Sequence, residues 1–382
     1  MARKHSTALF FLVTALYWSS MYVYVPILSV YAENLGASMG LVGAVVGAYG
    51  FSQLVLRIPL GVWSDRVGVR KPFILAGLVI AGVGALGLGL ASDPIWLVAW
   101  RAMTGVGAAA WVAFTVFFSG HFPPEKVTRA MSHVVFVAGV SQVVSTYAGG
   151  LIAEAWGWRV PFYAAAALGL MGAMAAVPLD EKPVTVRREM ALRDIYRIGT
   201  VPLLLAVSVA CMLSQWAHWG TSAGFTLVYA ARLGAGRADL GMLTTVMQLA
   251  YMPAALLSDR LSTRFGPRRA ALAGMGIQGA GALMVPLVGT VPMLAVSQVL
   301  SGAGRGLSYP LLMALSIQAV PVRDRATAMG VFQAVYALGM FAGPTSTGIL
   351  GDAFGLQSIF YVAGMACVVG AMVVAARVPS RP

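Results

Sequence analysis

The sequence predicts an all-α integral membrane protein of twelve transmembrane helices, arranged as two six-helix, pseudo-symmetric halves. Three observations predict it. Of 382 residues, 59% are hydrophobic and only 10% charged, with a mean hydropathy of +0.81. A soluble domain needs roughly 25% charged residues to cover its surface, so lipid has to supply the missing solvent. Charge-free stretches long enough to cross a bilayer recur along the chain, and motifs of the first half return in the second at a nearly constant spacing.

Each span follows from where charge is absent. A helix crossing a hydrocarbon core of about 30 Å takes about 20 residues. The first span is predicted over 7–32, because no charge appears between Lys4 and Glu33. That run outlasts the roughly 7–15 residues of a signal-peptide core, and no small-x-small cleavage site closes it. Spans 2 to 6 are predicted over 39–62, 73–91, 94–119, 130–153 and 159–178, with Arg101 the one charge in span 4. Spans 7 to 12 follow over 201–230, 238–258, 270–289, 292–317, 326–350 and 356–377. Within 270–317 only Arg305 interrupts, and Gly289-Thr290-Val291-Pro292 supplies the turn between two spans. The chain thus divides into residues 1–178, a charged linker over 179–200, and residues 201–382. The linker's Arg187, Arg188, Arg193 and Arg197 suit either an amphipathic helix on the inner leaflet or a plain tether.

The formal net charge of +13 could point to nucleic acid, but its distribution points to topology instead. With a cytoplasmic N-terminus, the inside segments hold 20 of the 26 Lys and Arg, the outside loops hold Arg159, Arg232 and Arg237, and Arg57, Arg101 and Arg305 lie within spans. That is the positive-inside pattern, with both termini cytoplasmic in a multi-pass protein of the cytoplasmic membrane. No nucleic-acid partner is expected, and nothing in the sequence asks for more than a monomer. Cys211 and Cys367 sit in apolar runs without partner spacing, and His5, His121, His133 and His218 are scattered. Neither a disulfide framework nor a metal site is expected. No Gly-x-x-x-x-Gly-Lys-Ser/Thr loop is present, so the chain carries no ATPase and no cofactor is implied.

The repeat is legible at four places. Tyr31 to Ala37 ends span 1 as Tyr229 to Ala235 ends span 7. Ser64-Asp65-Arg66 follows span 2 as Ser258-Asp259-Arg260 follows span 8. Arg101-x-x-x-Gly105-x-Gly107 matches Gln298-x-x-x-Gly302-x-Gly304, and Gly150 and Gly157 match Gly348 and Gly355. Two halves of like orientation make a parallel repeat, with a site expected between them near the midplane.

Between spans 2 and 3 stands Gly61-Val-Trp-Ser-Asp65-Arg66-Val-Gly68-Val-Arg70-Lys71. It resembles the signature loop of the major facilitator superfamily, Gly-x-x-x-Asp-Arg-x-Gly-Arg-Arg-Lys, departing only at Val69. A degenerate copy runs from Asp259 and Arg260 to Arg269, with four extra residues before Gly266. The glycines allow a tight turn and close helix approach, and Asp65 is positioned to pair with a base or a helix N-terminus. The resemblance implies a cytoplasmic gate made of Gly61, Asp65, Arg66, Gly68, Arg70, Lys71, Asp259 and Arg260. Arg101-Ala-Met-Thr-Gly105-Val-Gly107-Ala108 is similar to a second stretch found in proton-linked members, especially drug exporters. The antiporter signature Gly-Pro-x-x-Gly-Gly is half lost in span 5, which reads Ser145-Thr146-Tyr147-Ala148-Gly149-Gly150.

The family places spans 1, 4, 7 and 10 around the cavity. Charges inside a membrane are expensive and mark function by default, which singles out Arg101 and Arg305, expected near mid-depth. Arg101 either pairs with a proton-titrating group or substrate, or braces helices through backbone carbonyls. Arg57, closer to the inner end of span 2, is expected to snorkel or to support the Asp65 loop. The cavity set is completed by Tyr22, Trp111, Gln215, Trp216, His218, Trp219 and Gln298: aromatic walls with sparse hydrogen-bonding groups, suited to a flat amphipathic molecule. No carboxylate stands at mid-membrane, which disfavours a permanent cation as substrate. Proton coupling then falls to His218, Glu33 or Arg101, His218 being the group that titrates near neutrality. The expectation is a secondary transporter, not an enzyme, that exports a small neutral or anionic amphipathic compound with protons. An organic-anion importer or exchanger, or a membrane sensor or lipid-handling protein, are the alternatives.

Overall fold

The computed structural model describes residues 2–122, 124–181, 192–321 and 324–380. These residues are helical almost throughout, in the order α1 (Ala2–Tyr22), α2 (Val25–Asn34), α3 (Met39–Val67), α4 (Lys71–Leu90), α5 (Pro94–Ala109), α6 (Trp111–Ser119), α7 (Pro124–Trp156) and α8 (Val160–Ala176). After the short α9 (Leu192–Gly199) come α10 (Pro202–Gly220), a π-helical turn (Thr221–Phe225), α11 (Thr226–Arg232), α12 (Arg237–Phe265), α13 (Pro267–Met284), α14 (Val291–Gln318), α15 (Arg325–Phe354) and α16 (Leu356–Arg377). Nine of the described helical segments are long and apolar enough to cross a membrane alone. α8 is about one turn short at 17 residues, and α14 and α15, at 28 and 30 residues, are long enough to cross. Taken together they supply the twelve crossings. The face that carries both chain ends is called the terminal face below, the other the distal face.

Local chemistry sets the ends. Ser38 accepts the Leu41 N–H at 3.2 Å to start α3, and Asp93 accepts the Ile95 N–H at 2.9 Å to start α5. Prolines open α4, α5, α8, α10, α13 and α14 within their first turn, where no N–H is needed. The six glycines with positive φ form three pairs 198 residues apart: Gly36 and Gly234, Gly68 and Gly266, Gly157 and Gly355. The backbone therefore repeats as the sequence motifs do. In this register Asp259 and Arg260 stand one helical turn farther from Gly266 than Asp65 and Arg66 stand from Gly68.

Three departures from the sequence reading matter. Spans 2 and 8 run on to Val67 and Phe265, so the signature residues Asp65 and Arg66 lie on the last helical turns rather than in a loop. Spans 1, 4 and 7 are each broken, at Val23–Tyr24, at Ala110 and at the π turn. Irregular backbone inside a membrane is tolerated where it is buried in protein or lines a cavity. The linker does more than tether, because Arg197 of α9 reaches Asp324 at 3.4 Å and Ile198 is buried. Arg187 and Arg188 lie outside the described residues.

Helices α1 to α8 meet helices α10 to α16 along two seams, α3 against α15 and α7 against α12. Both are glycine-lined. A Cβ on Gly150 would lie 2.7 Å from the Cα of Gly241, and one on Gly43 would strike the Pro344 carbonyl. Such small-residue contacts let backbones approach where lipid offers no hydrophobic drive.

Candidate functional site

The break in span 1 turns Tyr24 inward, and its hydroxyl accepts a hydrogen bond from Arg101 of α5 at 2.7 Å. Arg101 is only 2% exposed, bonds Thr104 at 3.3 Å, and lies 4.4 Å from the ring centroid of Tyr49 and 5.4 Å from that of Tyr24. Arg305 of α14 is built alike. Its Nε donates to Gln215 of α10 at 3.1 Å, and its guanidinium sits 5.0 Å from the Tyr251 ring and 5.6 Å from Tyr309. Both cations are thus held by neutral oxygens and aromatic faces. Among the described residues neither has a carboxylate partner, and a guanidinium so placed retains most of its demand for an anion.

The two arginines are staggered in depth, contrary to a common mid-depth level. Arg101 lies seven residues from the distal start of α5 and Arg305 fourteen from the distal start of α14. At 1.5 Å per residue these are about 10 Å and about 21 Å below the distal face. Tyr22 lies between them, within electrostatic range of both, and its hydroxyl bonds no described residue. Tyr22 packs on Trp18, which meets Trp111 edge-on at 4.9 Å, so these rings wall one side. Trp219 stacks on Tyr49 at 5.6 Å, and His218 beside it lies within electrostatic range of Arg305. Gln298 is buried and donates to the Ser222 carbonyl at 3.2 Å, tying α14 to the π turn. Trp216 directs its indole N–H to Ser346 of α15 at 3.0 Å, between helices rather than among the arginines.

Arg57 differs from its expectation. Rather than simply snorkelling, it donates to the hydroxyl of Tyr336 on α15, across the seam. Tyr49, Tyr251 and Tyr336 are further cage members that the sequence reading passed over. They sit on spans 2, 8 and 11, which the family pattern does not assign to the cavity, and a single tyrosine in an apolar span looks like packing.

The distal side is closed by carboxylates. Glu33 pairs with Arg232 at 2.7 Å. Asp352 at the end of α15 accepts the N–H groups of Met39 and Gly40 at 2.8 and 2.7 Å, capping α3 of the other half. Glu154 at the end of α7 accepts from Arg237 at 2.9 Å, capping α12. Glu154 and Asp352, like Met39 and Arg237, are 198 residues apart, so one contact is made twice. Below these caps the seams are bridged by Thr146 with Thr245 at 3.0 Å, Gln142 with Gln248 at 2.7 Å, and Arg57 with Tyr336.

Around the signature stretch, Gly68 takes φ +74° to end α3. The Arg70 side chain is buried, and the backbone N–H groups of Arg70 and Lys71 both donate to Glu181, the latter at 3.0 Å. A carboxylate at the N-terminus of α4 is the favoured charge there. The side chain of Asp65 lies outside the described residues. Arg66 and Asp259 are placed at the terminal-face ends of α3 and α12, and Arg260 is exposed beside Asp259.

Comparison with known proteins gives this architecture a family. The sequence pattern of the Major Facilitator Superfamily matches residues 10–205 and again 204–382. The chain is 23% identical to the gentisate transporter of Corynebacterium glutamicum over 377 residues, covering 92% of this chain and 82% of the relative. It is 23% identical to the multi-drug resistance efflux pump PmrA of Streptococcus pneumoniae, covering 91% and 89%. Its fold superimposes with a TM-score of 0.82 on a bacterial homolog of the human lysosomal transporter Spinster, in an inward-facing and occupied conformation, at 18% identity over 99% of this chain and 97% of that one. The nucleoside transporter NupG gives 0.82 at 13% identity over 99% of both. The chain belongs to the Major Facilitator Superfamily and is a multi-pass membrane transporter, not an enzyme.

Proposed function

We propose that this transporter moves a small amphipathic organic anion, or a neutral analogue, across the cytoplasmic membrane by alternating access. One observation carries the reading: two interior arginines, Arg101 and Arg305, are held only by neutral groups, with no carboxylate partner among the described residues. A carboxylate arriving between them meets two unneutralised guanidinium groups and the rings of Tyr22, Trp111 and Trp219. Residues 1–178 and 201–382 are the two bodies that rock, α3–α15 and α7–α12 are the seams, and the linker 179–200 joins them. The positive-inside pattern supports a cytoplasmic terminal face. The closed distal side supports reading this as an inward-facing state, with the signature residues Gly61 to Lys71 engaging in the opposite one.

Export coupled to protons is the direction favoured by the likeness of residues 101–108 to proton-linked exporters. His218 is the coupling group, since its protonation and the charge balance at Arg305 are linked by proximity. Glu33 contributes through its ion pair with Arg232 at the distal gate. The gentisate-transporting relative favours a second reading, import or exchange of an aromatic carboxylate. Purified protein in liposomes separates them. Proton-coupled export predicts that an imposed pH gradient drives accumulation of an aromatic carboxylate, whereas exchange predicts counterflow alone. Absence of both, for carboxylates and neutral amphiphiles alike, defeats the proposal.

A further inference from the structure

Arg57 is the interior charge that the central site does not use. It lies eighteen residues along α3 from Met39, about 27 Å below the distal face and thus deeper than Arg305. Its polar partner is the neutral hydroxyl of Tyr336 from the opposite half, its guanidinium lies 5.8 Å from that ring's centroid, and its Nε is buried with no described partner. Tyr17, Tyr49 and Tyr309 are the other titratable groups in range, and among the described residues no carboxylate faces it. Tyr309 contacts both Tyr336, at 6.0 Å between centroids, and Arg305, so an aromatic chain joins the two cations. A partly buried guanidinium with one neutral acceptor and an idle, buried N–H is an incomplete site.

We propose that Arg57 and Tyr336 form a second anion subsite on the terminal side of the central one, taking the same carboxylate class, and that its occupancy opens the α3–α15 seam. This rests on the reading that the central site takes an organic anion. A carboxylate is a stronger acceptor for a guanidinium than a phenol oxygen. An anion passing between Arg305 and the terminal face therefore displaces the Tyr336 hydroxyl, uses the idle Nε–H, and removes the polar link nearest that face among the described residues of the seam. Arg101, Arg305 and Arg57 then form three descending steps, each holding the anion weakly enough to release it to the next.

The test uses the full chain with gentisate and benzoate as probes and benzamide as neutral control. Three quantities are read in wild type, Arg57→Gln and Tyr336→Phe: Kd, spin-label distances between the terminal ends of α3 and α15, and exchange rate in liposomes. In wild type the carboxylates, and not benzamide, lengthen the distance. Both variants are lengthened without ligand and respond no further. In Arg57→Gln, Kd stays within about threefold while exchange falls about tenfold or more, a loss in turnover rather than in central binding. Tyr336→Phe removes one hydroxyl and decides the matter should Arg57→Gln not insert. If wild type binds neither carboxylate, the central reading falls and the subsite falls with it. If wild type binds them and the variants match it in distance and exchange, the subsite alone is overturned.

Discussion

Replacing Asp352 by Asn and Glu154 by Gln together should release the distal gate. Each carboxylate caps the first turn of a helix in the other half, Asp352 at 2.8 and 2.7 Å from two backbone N–H groups and Glu154 at 2.9 and 3.4 Å from two. An anion at an exposed helix N-terminus contributes about 0.3–1 kcal/mol, and losing a cap costs about 1 kcal/mol. The two contacts exist only while the distal side is closed, so their combined loss of about 1–2 kcal/mol acts wholly on that state. An equilibrium constant shifts by a factor of about 5–30 for such a change. Spin labels near Glu33 and Arg232 would report the populations by distance measurement. The double variant should gain a long-distance population in that proportion, and each single variant about half the free-energy change, since the sites are related by the repeat and lie apart. A distribution indistinguishable from wild type would refute the claim that these caps hold the gate.

Other changes follow from the same geometry. Glu33→Gln should shift the populations by less than about fivefold, because the Arg232 partner is 48% exposed and such surface pairs contribute about 0–1 kcal/mol; a larger shift than the cap variants would reverse the ranking. Gly150→Val should disfavour the distal-closed state outright, as a side chain there meets Gly241 backbone at 2.7 Å, and crosslinking between α7 and α12 should drop accordingly. Asp65→Asn should leave insertion intact but deepen the preference for the state described here and cut transport severely; unchanged transport and unchanged populations would reject the gate role of the signature stretch. His218→Gln should abolish pH-driven transport while leaving ligand affinity within about tenfold, or 1.4 kcal/mol; an undiminished pH-driven rate would move the coupling role to Glu33.

The twelve spans and the repeat were legible because both depend on composition and spacing, which a single sequence displays. The broken helices were less so. Pro26 hints at the bend near Tyr24, but the π turn at Thr221–Phe225 has no proline, and only packing reveals it. Arg101 and Arg305 stood out as charges in apolar runs, whereas their stagger appeared only when the helices were placed. The Tyr336 partner of Arg57 was not legible, because it lies 279 residues away in sequence. The capping roles of Glu154 and Asp352 were hidden for the same reason: the sequence shows acids at span ends, and the fold supplies the N–H groups they accept from.

The central claim is that two unneutralised interior arginines select an organic anion, and binding selectivity tests it most directly. A charge about 4 Å from one guanidinium feels roughly 4 kcal/mol at an effective dielectric near 20, before desolvation is subtracted. If a quarter of that survives, a carboxylate binds about fivefold to tenfold more tightly than an isosteric cation. Calorimetry on purified protein should show that order for aromatic carboxylates over quaternary ammonium dyes, and the double change of Arg101 and Arg305 to Gln should erase it. Saturable, tight binding of a quaternary ammonium dye by wild type, unaltered by changing either arginine, would contradict the account.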